Sequence, residues 1–299
     1  MFICDSHLHF FSHDFFAAMV RQKDAHADVD RVLDELAVRT KIALPDREVE
    51  KHVQRWLEEL DRHGVQRAVV FASLPEEVTA VAEALSLAPG RFSGFFMIHP
   101  LAEGSTARVH KCHELGFRGA MLFPALHHYH VSDAGLSLFW QAVSECRMHV
   151  FVHFGILQVK LRDALALPRV YDSRFANPLD LQSVANRFPN LRFIIPHFGC
   201  GFWRETLMLG AQCENVLVDT SSSNNWMATQ PFELSLTEVF RRAKAVFGVE
   251  RILFGTDSGV FPRGWRKDIF LAQQQAMNQA QFSTAEMEAV FGGNAARLQ

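Results

Sequence analysis

Short, continuously apolar runs recur along the chain, and most are followed by a stretch with helical spacing. Eight runs read as strands: residues 2–4 (FIC), 67–73 (RAVVFAS), 92–98 (FSGFFMI), 117–123 (FRGAMLF), 148–154 (MHVFVHF), 191–197 (LRFIIPH), 215–221 (NVLVDTS) and 251–257 (RILFGTD). Runs that do not alternate with polar residues are the mark of strands buried on both faces, as in parallel sheets. Helix signals fill the gaps. Val49, Val53, Trp56, Leu57 and Leu60 recur at spacings of three and four between Pro45-Asp46 and Gly64. Pro75 opens another helix and Pro89-Gly90 closes it; Ser132 or Asp133 caps a third; Pro178 stands just inside a fourth. Ser283 with Glu286 three residues on forms a capping box for the last.

Eight strands alternating with helices predict a (β/α)₈ TIM barrel, a single α/β domain over residues 1–299. The competing open, doubly wound sheet fits less well, because eight is a closing number and no G-x-G-x-x-G turn follows the first run. The link after the first strand is too long for an ordinary βα unit. Residues 11–64 are therefore expected to contain an inserted segment over the barrel mouth.

Composition narrows the partners. Of 299 residues 48% are hydrophobic, ample for one large core, and the net charge of -3 argues against nucleic acid or an anionic membrane. No segment approaches the ~20 apolar residues of a membrane helix. The first residues lack the basic start and long apolar stretch of a signal peptide. Five scattered cysteines without a C-x-x-C pair fit a reducing cytoplasm.

The chemistry lies in the histidines. His7 and His9 sit just past the first run, one residue apart, so in an extended chain both rings point the same way. His153 falls near the end of the fifth run, His197 ends the sixth and Asp257 ends the eighth. In a TIM barrel the C-terminal strand ends converge on one mouth, so these five side chains are expected to meet there. Each alone has a bland reading as a core histidine or a turn aspartate; the joint placement is what points to a metal site.

These residues also carry a family resemblance. "DSHLHF", "VHFG", "PHFG" and "LFGTDSG", with "FGGNAARL" at the end, resemble the amidohydrolase superfamily and its amidohydrolase-2 branch of decarboxylases and lactone hydrolases. The resemblance implies that His7, His9, His153 and Asp257 ligate a metal. His197 then matches a histidine that acts on substrate in one-metal members and binds the second ion in two-metal members. The fourth run offers Met121 and Phe123 near its end, where two-metal members carry a bridging lysine or glutamate. That departure predicts a single divalent ion, Zn²⁺ first, with Mn²⁺, Fe²⁺ or Co²⁺ also suited to imidazole and carboxylate ligands. Such an ion lowers the pKa of bound water from about 15.7 to about 7. Asp257 is then the expected acid–base group, and His197 orients the water or polarises the substrate.

Weaker signals surround the mouth. His128 in "PALHHYH" and Arg174 in "YDSRFANP" are candidate substrate contacts, Arg174 for a carboxylate. Asn224 after the seventh run and Trp203 after the sixth are candidate pocket walls. The helix "HKCHELG" looks metal-like but precedes the fourth strand, at the opposite end of the barrel, and reads as an amphipathic surface helix. The resulting expectation is a metal-dependent hydrolase of a small carboxylic acid, lactone or related carbonyl compound. The alternatives are non-oxidative decarboxylation of an aromatic or muconate-like acid, and a catalytically idle metal-binding scaffold. Branch relatives suggest a homodimer.

Overall fold

The computed structural model describes residues 1–221 and 225–298. Eight strands form one parallel sheet in sequential order: β1 Cys4–His9, β2 Arg67–Ala72, β3 Phe92–Met97, β4 Phe117–Leu122, β5 His149–Val152, β6 Phe193–Ile195, β7 Val216–Asp219 and β8 Ile252–Leu253. The sheet closes on itself. The Ser6 amide donates to Phe254 O (2.8 Å), Asp257 N to His7 O (3.0 Å) and His9 N to Ser258 O (2.8 Å), so the backbone just past β8 runs alongside β1. The molecule is a (β/α)₈ barrel, as the pattern of runs predicts.

Helices α1 His13–Lys23, α2 Val29–Thr40 and α3 Val49–Arg62 separate β1 from β2. The regular alternation continues with α4 Val78–Leu87 and α5 Ser105–Glu114; among the later helices are Ser137–Glu145, Trp203–Gln212, Leu236–Phe247 and Lys267–Gln279. The predicted capping box is formed, Ser283 and Glu286 each bonding the other's backbone amide. Sequence and structure part at β1: the strand begins at Cys4 and includes both histidines, instead of ending before them.

Two packed regions follow from the pleat. Cys4, Val69, Phe71, Phe95, Met121, Phe151, Ile194, Leu217 and Leu253 share one cluster that fills the barrel. The intervening strand residues, among them Leu8, Val70, Phe96, Val150 and Val218, join Trp56, Trp140 and Trp203 in the layer between barrel and helices. Burying this much apolar surface, at about 25 cal/mol per Å², is what fixes the strand ends in space. The loops can then vary without disturbing the mouth.

Candidate active site

β1 is the unusual strand, because Asp5, Ser6 and His7 are buried along it. Its register against β2 shifts between Asp5 and Leu8. The irregularity is held from the side by Asp5, whose carboxylate accepts from His7 N (2.9 Å), Thr256 N (3.1 Å), Thr256 Oγ1 (2.5 Å) and Trp265 Nε1 (2.8 Å). Complete burial pushes the Asp5 carboxyl up to about 6, against the lowering effect of those bonds. Asp5 thus ties the first strand to the loop that carries Asp257.

Below the histidines lies an aromatic floor. The His7 ring meets Phe71 and Phe151 edge-on at centroid distances of 5.0 and 4.9 Å. Above this floor His7 Nε2 and His9 Nε2 stand 3.3 Å apart, and Asp257 Oδ1 lies 3.6 Å from the first and 3.2 Å from the second. Asp257 is the more accessible corner, with its side chain 24% exposed against 2% for His7.

The far nitrogens of both rings are engaged. His9 Nδ1 is 2.7 Å from Ser73 Oγ at the end of β2. His7 Nδ1 is 2.9 Å from Ser221 Oγ and 3.5 Å from Asp219 Oδ1 at the end of β7. Asp219 is fully buried and also accepts from Ser6 Oγ (2.8 Å), Ser221 N (2.9 Å) and the Ser221 hydroxyl. Asp219 is an acceptor only and draws the His7 ring proton to Nδ1, which leaves Nε2 as the lone-pair atom, whereas Ser73 Oγ can donate to or accept from His9 Nδ1. Behind Ser73, buried Glu77 accepts from Ser73 N (2.6 Å) and Ser12 N (2.7 Å), joining the loops after β1 and β2.

His197 follows β6 in the kinked segment Pro196–Gly199, where its backbone and that of Phe198 leave helical geometry. Its Nδ1 is 3.2 Å from Ser221 O, an acceptor only, so the ring proton belongs there and Nε2 again carries the lone pair. The rings of His197 and His7 are 5.0 Å apart, and those of His197 and His153 5.1 Å apart. His153 packs flat against Phe123 at 5.3 Å, and its buried Nδ1 has no hydrogen-bond partner. His197 (φ 54°) and Asp257 (φ 56°) both hold the left-handed backbone conformation. That costs a residue with a side chain about 1–2 kcal/mol and is frequent where a site dictates side-chain direction.

The electrostatics follow from burial and pairing. Burial lowers His9, His153 and His197, the last to about 4, so all three are neutral near pH 7. Burial also opposes charge on His7, but the Asp219 carboxylate, with Asp257 and Asp5, outweighs it and raises the ring. Burial would raise Asp257; the His9 hydrogen bond and the nearby imidazoles overcome this and hold its carboxyl well below the usual range. Asp257 is thus an ionised acceptor in a neutral-to-positive surround.

The family model for amidohydrolases matches residues 4–298. The chain belongs to the amidohydrolase family. Solved structures share its fold at low identity. A manganese-bound 5-carboxyvanillate decarboxylase from Novosphingobium aromaticivorans is 16% identical, with a TM-score of 0.65 over 99% of this chain and 95% of that one. A probable 2-pyrone-4,6-dicarboxylic acid hydrolase from Acinetobacter baumannii is 15% identical, with a TM-score of 0.62 over 100% and 99%. A zinc-bound amidohydrolase from Burkholderia multivorans gives 15%, 0.62, 100% and 99%. A comparison with curated proteins found no match.

The side chains of this amidohydrolase fit a divalent ion. Two imidazole lone pairs and a carboxylate oxygen, all within 4.8 Å of one another, repel unless a cation lies between them. His153, whose buried Nδ1 has no hydrogen-bond partner, meets the ring of His197 at 5.1 Å and does not join this close group of ligand atoms. His7 Nδ1, His197 and Asp219 form a second cluster, but its members already bond one another and Ser221.

The other candidates lie apart from this centre. Arg174 is 84% exposed and its guanidinium is engaged by Asp172, with Nη2 to Oδ2 at 2.6 Å. His128 stacks on Phe175 and its Nε2 meets Val170 O. Trp203 is 1% exposed and packs on Phe198 and Trp226, which makes its ring part of the helix–barrel core instead of a pocket wall. Asn224 lies outside the described residues. Sequence reasoning did not single out Asp5, Ser73, Asp219 or Ser221. The signal for Asp219 was present, as a charged residue closing an otherwise apolar run. No helix among the described residues is long and apolar enough to cross a membrane.

Proposed function

We propose that this amidohydrolase hydrolyses a small carboxylic acid derivative, lactone or related carbonyl compound, with one divalent ion, Zn²⁺ by preference, held by His7, His9, His153 and Asp257. The observation that carries the reading is the convergence of His7 Nε2, His9 Nε2 and Asp257 Oδ1 above the aromatic floor. When bound, the ion supplies Lewis acidity and lowers the pKa of a coordinated water to about 7. Asp257, ionised and partly open to the mouth, accepts the proton of the attacking water and returns it to the leaving group. His197, with its proton committed to Ser221 O, offers Nε2 as an acceptor that orients the water. Phe71 and Phe151 exclude bulk water from below. The segment 11–64, through α1 and α2, closes the mouth from one side, where Arg162 of the loop after β5 bonds Gln22 of α1 (2.9 Å).

The likeness to a 5-carboxyvanillate decarboxylase supports a second reading, non-oxidative decarboxylation of an aromatic or muconate-like acid. An Asp257 that starts ionised favours hydrolysis, which first needs a proton acceptor. A screen of the metal-loaded protein against lactones, esters and carboxylic acids separates the two. Chelator-sensitive acid release from a lactone or ester supports hydrolysis, and stoichiometric CO₂ release supports the lyase. Protein that carries the ion but turns over nothing in a broad panel overturns both.

A further inference from the structure

The loop from β8 to the helix Lys267–Gln279 carries a guanidinium with no partner. Arg263 lies on this loop, a few residues after Asp257, and its side chain is exposed. Arginines on the loops after β5 and β8 are otherwise occupied. Arg162 bonds Gln22, Arg169 pairs with Asp163, Arg174 with Asp172 and Arg266 with Asp268. Among the described residues Arg263 makes neither a hydrogen bond nor an ion pair. A bare guanidinium is common on an open surface; this one sits on a loop pinned to the site on both sides.

Ser258 is bridged to Leu8 of β1. Gly259 lies so close to the site that an added Cβ would stand 2.7 Å from the Phe11 ring and 3.1 Å from His9 Cβ. Phe261 O accepts from Ala43 N (2.8 Å), Gly264 N donates to Val260 O (3.0 Å), and Trp265 bonds both Glu59 and Asp5. Arg266 N returns to Ser258 Oγ (3.0 Å). The turn that carries Arg263 is therefore built against His9, Phe11 and Asp5.

We propose that Arg263 binds a carboxylate of the substrate and aligns the rest of the molecule toward Asp257, which makes the preferred substrate an anion. The assignment rests on the small-acid reading above and adds the residue that would recognise the acid. A planar guanidinium suits a carboxylate through two parallel hydrogen bonds, and Lys supplies the charge without that fork. Arg263 is a substrate-binding residue here, with no part in proton transfer.

The test uses zinc-loaded protein, with benzene-1,3-dicarboxylate, benzoate and uncharged benzamide as probes followed by calorimetry, and metal content measured on the same samples. Arg263→Gln should keep its zinc and its melting temperature, bind the two anions about 10–100-fold more weakly and leave benzamide unchanged. Arg263→Lys should fall between. Equal anion affinity in wild type and Arg263→Gln overturns the proposal, as does a parallel loss for benzamide or a wild type that binds neither anion. The outcome is independent of turnover. Arg263-dependent anion binding in a protein that hydrolyses nothing sinks the proposed reaction and keeps this site, whereas hydrolysis of neutral and anionic substrates with no Arg263 dependence does the reverse.

Discussion

Asp219 Oδ1 lies 3.5 Å from His7 Nδ1, and both side chains are shut away from solvent, at 0% and 2% exposure. The carboxylate at the end of β7 therefore fixes the ring orientation of the deepest histidine of β1. Asp219→Asn should fold yet weaken metal binding about 10–100-fold, measured by competition with a chromogenic chelator. An unchanged affinity would remove Asp219 from the support of the site.

Gly255 is the packing counterpart of that contact. A Cβ there would stand 2.3 Å from Asp219 Oδ2 and 2.8 Å from His7 Cβ. Gly255→Ala should cost about 1–3 kcal/mol in denaturant melts, through forced displacement, and should lower metal affinity along with it. Wild-type stability and metal content together would show that the backbone has room to retreat.

Asp257→Asn tests the proton acceptor. The amide keeps an oxygen near His9 but cannot take up a proton. Turnover should fall about 10²–10⁴-fold while much of the ion is retained on the histidines. Metal analysis of the wild type should give about one ion per chain, since each residue of the second cluster is already satisfied by its neighbours. A variant with near-normal kcat sinks the acid–base role.

His52 governs part of the acid response. It is buried, its Nε2 lies 2.7 Å from Phe10 O, and burial lowers its pKa from 6.5 to about 4. The unfolded chain binds a proton at this residue between these values and the folded chain does not. The stabilising contribution is therefore complete above pH 6.5 and is lost as pH falls to about 4. Urea melts of wild type and His52→Gln should converge over this window by up to about 3 kcal/mol. Parallel pH profiles would contradict the assignment.

Arg174→Ala should leave kcat/KM nearly unchanged, because the guanidinium is spent on Asp172 at the surface. A large loss would mean that the pair breaks to meet substrate.

The barrel was legible in the sequence because its strands are buried on both faces and so read as unbroken apolar runs. β1 is the exception for the same physical reason. Its polar positions, Asp5, Ser6, His7 and His9, look like loop, yet they belong to the strand because neighbouring strands and the loop after β8 satisfy them. Helix α1 went unread because the run Phe15–Val20 is buried on every side, which erases the one-sided periodicity that marks a surface helix; α2 went unread although Val29, Val32, Leu33 and Leu36 recur at spacings of three and four. The five candidate mouth residues were legible as strand-end histidines and an aspartate. Ser73, Ser221 and Arg263 were not, since a lone serine or a surface arginine carries no signal until the fold sets it beside a ring or a pinned turn.

The seam between β1 and the end of β8 has a consequence for biosynthesis. A ribosome releases His7 and His9 with the first strand and Asp257 only with the last. A nascent chain can build most of the strand ladder before then, but not the triangle of Nε2, Nε2 and Oδ1. Tight ion capture would therefore mark the moment the ring of strands shuts, and a chain stalled before β8 would leave its early histidines available to whatever metal the cell offers.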